Sequence, residues 1–236
     1  LAWRLPEFWL RLHTPLWQGF ASGATPATRR DAWIRQLDRF TARRAAHLVT
    51  HSRTHAEAMR AELRLGTRPV HVVPHGIPDP GRTPVTGRVP GRLLTIGPVW
   101  PQKGADVLLE AFVVLARQHP HVSLSMVGAT PDPTVLAQLD RIRATDATVG
   151  RRIVLHGRLD ETGLEQEWQA AEVVVLPSRY ESFGLVAVEA MARGIPLVTS
   201  DAGALPEVTG EAALHAATGD SAELARHVAE LIGDRA

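Results

Sequence analysis

Glu181 and Glu189 stand with seven residues between them in a stretch that runs from Pro177 to Glu207. Glu189 falls in LVAVEAMA, a helical run apolar on every face, which predicts a buried helix. A lone carboxylate there needs partners, because an unpaired buried charge is costly. A pair of ligand hydroxyls would serve, and so would neighbouring backbone or an arginine such as Arg193 or Arg179. Just before it, Ser182-Phe183-Gly184-Leu185 presents backbone N–H groups at a predicted helix start. A helix start favours an anion by roughly 0.3–1 kcal/mol per charge, and Gly184 lets that anion approach the backbone closely. Lys103 comes just before another predicted helix, and a cation beside backbone amides suits phosphates. On its own it reads as an ordinary exposed lysine.

The elements that must hold these groups alternate between strand and helix. Glu172 to Leu176 is a short β-branched run, the pattern of a buried strand. A turn follows at Pro177-Ser178, then a helix from near Gly184 to Gly194, stopped by Pro196, then a strand at Leu197 to Ser200. The loop between them sits at the carboxyl end of a strand, where open α/β sheets bind ligands. Upstream, strands are predicted at Arg92–Ile96, Val122–Val127 and Ile153–His156, and helices at Lys103–Gln118, Thr134–Ala144 and Thr162–Ala171. A last helix spans Asp220 to Ile232. This alternation argues for a parallel, doubly wound α/β sheet.

The part before Arg92 is poorer in strands. Strands are expected at Phe8–His13, Leu48–Thr50 and Val70–Val73. Asp31–Ala46 reads as a helix with an apolar stripe of Trp33, Ile34, Leu37 and Phe40, and Ser52 caps a helix to about Leu65, closed by Gly66. Pro74 to Gly91 holds five prolines and four glycines without hydrophobic period, the pattern of a linker. The predicted division is therefore 1–78, a linker at 79–91, and 92–236.

PSRYESFGLVAVEAMARGIPLV, with its E-x7-E pair, resembles the donor-site motif of retaining glycosyltransferases of the family 4 type, which have the GT-B fold. IGPVWPQKGADVLLEAF is similar to a second segment of that family, in which Lys103 matches a lysine that binds the donor diphosphate and Gly97 stands in the same donor-binding loop. The resemblance implies that Glu189 holds the ribose hydroxyls and Glu181 those of the donor sugar. It implies that the amides around Ser182, Phe183, Gly184 and Leu185 hold sugar and diphosphate. His13, in RLHTPL, matches a histidine at a strand end that helps organise the reaction centre, so His13 and Glu181 are the expected catalytic residues. The family's arginine falls at Pro98, which carries no charge; Arg92, Arg158 and Arg179 are the candidates to replace it. VVPHGI resembles the segment at which the family's N-terminal domain ends.

The family also has strands before RLHTPL and a final crossing segment that this sequence does not contain. The expectation is a fragment with a complete Rossmann-like nucleotide-sugar domain and part of a Rossmann-like acceptor-side domain. The implied activity is a retaining, metal-independent, hexosyltransferase-type transfer. A nucleoside-diphosphate sugar would be the donor, and a carbohydrate, lipid or small-molecule hydroxyl the acceptor. Lipid acceptors would bring peripheral contact with a membrane. The alternative is a nucleotide-sugar-binding module or inactive homologue, motivated by Pro98 and the absent strands.

Composition narrows the remaining classes. The 236 residues carry a net charge of +1, which offers no field for nucleic acid. There is no cysteine, hence no disulfide framework, which fits a cytoplasmic setting. No apolar run spans a bilayer. No Asp-x-Asp, phosphate loop or G-x-G-x-x-G occurs, so neither a metal nor a cofactor is expected. His47, His51 and His55 recur every fourth residue, but His47 is placed before a strand and His51 at a strand–helix junction. They read as solvated histidines rather than metal ligands. Trp3, Trp9 and Trp17 read as sheet packing in preference to a membrane or acceptor surface.

Overall fold

A computed structural model of the chain describes residues 9–12, 29–81, 87–129 and 131–233. In chain order it forms β1 (Trp9–Arg11), α1 (Arg29–Arg44), β2 (His47–Thr50), α2 (Arg53–Leu63) and β3 (Val70–Val72). Beyond the proline-rich stretch come β4 (Arg92–Ile96), a 3-10 turn at Pro101–Lys103, α3 (Ala105–Gln118), β5 (Ser123–Val127), α4 (Pro133–Thr145) and α5 (Ala147–Gly150). Then follow β6 (Ile153–Gly157), α6 (Glu161–Ala170), β7 (Val173–Leu176), α7 (Leu185–Ala192), β8 (Leu197–Ser200), α8 (Leu205–Thr209), β9 (Leu214–Ala216) and α9 (Ser221–Gly233).

The first three strands make one parallel sheet in the order β1-β2-β3. The other six make a second sheet in the order β6-β5-β4-β7-β8-β9, every pair parallel. Its central strand β7 is apolar on both faces because helices cover both. Side-chain alternation splits β7 cleanly: Val173 and Val175 join the core beneath α3 and α9, while Val174 and Leu176 join the core with Trp168 and α7. Leu93 and Leu94 of β4 divide in the same way. Among the described residues no helix is long and apolar enough to cross a membrane.

Several expectations are corrected. The α1 stripe does not enter the core: Trp33, Leu37 and Phe40 are 77%, 57% and 53% exposed. Near its C-terminal end it is the small Ala42, with Ala45 just beyond, that is buried, so the large residues point off the three-stranded sheet. The helix α7 is not buried all round. Ala187 and Ala190 are buried, but Leu185 is 41% exposed and Val186, Val188 and Met191 are partly open. An eight-residue helix at the rim of a sheet covers one side only. His51 and His55 are buried and hydrogen-bonded rather than solvated, and His47 lies inside β2. The short elements α5, α8 and β9 carry no periodic signal long enough to predict. His13, Trp3, Trp17 and the side chain of Trp9 lie outside the described residues.

Candidate functional site

The order β6-β5-β4-β7-β8-β9 reverses direction between β4 and β7. At such a switch point the two following connections leave to opposite sides, and a crevice opens beyond the strand ends. Here the β4–β7 pairing ends early, at Leu93 with Val173 and Leu94 with Val174. The loops that follow, 97–104 and 177–184, border a cleft lined by Gly97, Pro98, Lys103, Ser178 and Glu181, among others. Gly104 brings the two loops together. It has a φ of 69°, and a Cβ there would stand 1.9 Å from the Pro177 carbonyl oxygen.

That approach puts Lys103, the end of the 3-10 turn, opposite Glu181. Lys103 Nζ lies 2.7 Å from Glu181 Oε1, with the two side chains 31% and 17% exposed. Ser178 Oγ donates to the same oxygen at 3.0 Å. The Ser178 carbonyl in turn accepts from Ser200 Oγ at 2.5 Å, tying the loop to the end of β8. Ser178 was not singled out in the sequence; its position three residues before Glu181 is the signal that could have found it.

Gly184 precedes α7 with a φ of 92°, which turns the chain into the helix. The first amides of a helix have no acceptor earlier in it. Among the described residues, the Ser182, Phe183 and Gly184 amides also have no acceptor. Phe183 is buried beneath this loop, with the His75 ring edge-on at 5.2 Å. Glu189 sits one turn further along α7, half-buried. Burial pushes its carboxyl above the ordinary range, and nearby Arg193 only partly offsets this. Arg193 itself is committed elsewhere: its Nη2 lies 3.1 Å from Glu165 Oε2, and its guanidinium stands 4.8 Å over the Trp168 ring. Among the described residues no ion pair or hydrogen bond holds the Glu189 carboxylate.

None of the three arginines weighed as a replacement at Pro98 points into the cleft. Arg179 makes two 2.7 Å bonds to the Asp106 carboxylate and reaches the Pro101 carbonyl, so it pins loop 177–184 to the first turn of α3. Arg92 begins β4, at the end of the strand away from the crevice, and forks onto Glu167 with two 3.0 Å bonds. Arg158 follows β6, two strands away, on the surface. Lys103 is therefore the cation lining this cleft among the described residues. His13 lies outside them. Its near neighbour Arg11, on β1, donates to His51 Nε2 at 2.7 Å and lies 3.0 Å from His75 Nε2.

A lysine and open helix-start amides each suit an anion, and a carboxylate suits ligand hydroxyls. A family model described as "Glycosyl transferases group 1" matches residues 90–234. A glycogen synthase from Mycobacterium tuberculosis is 34% identical over 229 residues, covering 90% of this chain and 54% of that protein. An MMP alpha-(1->4)-mannosyltransferase from Mycolicibacterium hassiacum is 35% identical over 188 residues, 78% of this chain and 44% of its own. The chain thus spans about half the length of these curated relatives. Among solved structures, sucrose-phosphate synthase from Thermosynechococcus elongatus superposes with a TM-score of 0.72 at 24% identity, over 97% of this chain and 59% of that one. Anabaena HepE, solved in complex with UDP and glucose, superposes at 0.73 with 21% identity, over 97% and 62%.

Proposed function

The chain belongs to the group 1 glycosyl transferases, and from that membership we propose that the crevice between β4 and β7 binds a nucleoside-diphosphate sugar whose sugar is passed to an acceptor hydroxyl. The fold is the α/β GT-B fold, and the six-stranded sheet forms a Rossmann-like unit. The finer reading is a hexosyl transfer of the family 4 type, metal-independent and with retention of configuration. Residues 92–236 would hold the donor, 79–91 join the halves, and 1–78 lie on the acceptor side.

The observation that carries this reading is the Lys103–Glu181 pair at the switch-point crevice, with the start of α7 beside it. In the transfer, the bond between the sugar's anomeric carbon and the diphosphate breaks as the acceptor oxygen bonds to that carbon. Negative charge grows on the diphosphate. The Phe183, Gly184 and Leu185 amides would stabilise it as fixed donors that need no reorganisation, and Lys103 would turn to it from Glu181. Glu181, held by Ser178, would meet the sugar hydroxyls with Gly97 alongside. Glu189, open-handed on α7, would take the ribose hydroxyl pair. His13 would complete the reaction centre.

Calorimetric titration with UDP, GDP and ADP tests the reading. Micromolar binding of one of them that Glu189→Ala abolishes is the expected result; equal binding by parent and variant would sink the assignment.

A second reading, a donor-binding homologue without turnover, is favoured by Pro98 alone. Among the described residues the family arginine has no stand-in at the cleft, because Arg92 and Arg179 are occupied by Glu167 and Asp106. Turnover of the full-length protein with and without Pro98→Arg separates the two. Transfer by the parent supports an enzyme, and transfer only by the variant supports the homologue.

A further inference from the structure

Glu207 closes the stretch around which the candidate site is built, and nothing above gives it a task. It lies on α8, next to the six-stranded sheet, yet its carboxylate reaches the three-stranded side. Oε1 accepts from the Arg53 amide and Oε2 from the Thr54 amide, both at 2.8 Å, and Thr54 Oγ1 donates to Oε2 at 2.7 Å. These residues open α2, a helix with no acid in its own first turn. A carboxylate at a helix start gains from the helix dipole and from charge-assisted bonds. Burial works against the Glu207 charge, but the bonds from Thr54 and Arg53 outweigh it and hold the carboxyl below its ordinary range.

The same turn of α2 grips the donor loop. Ser52, 1% exposed, accepts from the His55 amide at 3.0 Å and gives its own proton to the Ser182 carbonyl at 2.8 Å. His55 Nδ1 lies 2.6 Å from the Tyr180 hydroxyl, a second hold two residues earlier in the loop. In a trans peptide the C=O and the following N–H point in opposite directions, and no cis peptide occurs among the described residues. Fixing the Ser182 oxygen on Ser52 therefore turns the Phe183 N–H away from α2.

We propose, resting on the donor-site reading above, that Glu207 and Ser52 are positioning residues: Glu207 clamps the first turn of α2, and Ser52, held in place by that clamp, aims the Phe183 amide at the donor's diphosphate. The loop that binds donor is thus set by a helix of the other sheet. A cap that served α2 alone would need no carboxylate from 153 residues away.

The test uses the full chain with Ser52→Ala, Glu207→Ala, Glu207→Gln and the double alanine variant. Two measurements are made: titration with the nucleoside diphosphate that the parent binds and with its monophosphate, and amide hydrogen exchange of residues 50–63 and 178–185. Both alanine variants weaken the diphosphate about tenfold and the monophosphate less than about twofold, and the double variant is no worse than the weaker single one. Glu207→Gln, which keeps one acceptor oxygen, falls between. Exchange quickens in both segments. Faster exchange in 50–63 alone, with the diphosphate bound as before, overturns the proposal and leaves a local cap. If the parent binds no nucleotide, the donor-site reading fails by itself. Exchange at 178–185 then still decides the clamp: acceleration supports it and no change overturns it.

Discussion

The Lys103 ammonium stands 2.7 Å from the Glu181 carboxylate across the mouth of the β4–β7 crevice. Both side chains keep some solvent, so the pair is worth at most about 1 kcal/mol to the fold. A charge-assisted contact from the same ammonium to a diphosphate is worth about 1.5–3 kcal/mol. A diphosphate bound there would therefore win Lys103 from Glu181.

Lys103→Ala should accordingly raise the dissociation constant for the nucleoside diphosphate about tenfold or more, with a Tm change of no more than about 4 °C. Calorimetry and thermal melts read both. A large thermal loss with unchanged affinity would make Lys103 a structural partner of Glu181 and nothing more.

Glu189 gives the site a pH signature. Burial raises its folded pKa above that of the unfolded chain. Between those two values the folded state binds more protons, so this group's contribution to stability falls as pH rises through that window. Glu189→Gln removes the penalty. The variant should match or exceed the parent's stability at neutral pH, and the gain should vanish below the usual carboxylate range near about pH 4. Ribose hydroxyls donate best to the ionised form, so nucleotide affinity of the parent should fall as pH drops through the raised pKa. Melts and titrations across pH 4–8 check both signs; an affinity flat across that range would remove Glu189 from the site.

Arg179 and Asp106 are a fork on a fork, each guanidinium nitrogen 2.7 Å from its own carboxylate oxygen. Lysine offers a point charge instead. Arg179→Lys should therefore lose nearly as much as Arg179→Met, about 1–2 kcal/mol, seen as a Tm lower by roughly 2–8 °C. Adding Asp106→Asn should cost little more, because the two act as one unit. Full rescue by lysine would mean that charge alone matters here.

Much of this is legible in the sequence, and what is not has a common cause. β-branched runs such as Val173–Leu176 and the stripe of α3 announce the alternating sheet, since local period follows from which faces are covered. Glu181, Glu189 and Lys103 stand out by residue type against their surroundings. Their pairings do not. Arg179 and Asp106 are 73 residues apart, and Glu207 and Thr54 are 153 apart, so only the fold brings them together. The α1 stripe misleads for a related reason: periodicity shows that Trp33, Leu37 and Phe40 share a face, but not what that face meets.

Gly104 shows how tightly backbone geometry sets the chemistry. It follows Lys103, carries a φ of 69°, and leaves no room for a Cβ, which would meet the Pro177 oxygen at 1.9 Å and its carbonyl carbon at 2.6 Å. Both are backbone atoms, so no side chain can swing aside to make space. Gly104→Ala must either part loops 97–104 and 177–184 or force a strained backbone, at about 2–4 kcal/mol in all. The Tm should fall by roughly 5–15 °C. Parting the loops also draws Lys103 from Glu181, so diphosphate affinity should drop together with stability. A Gly104→Ala protein that melts early yet binds the diphosphate like the parent would show that the lysine finds its ligand without the loops being held together.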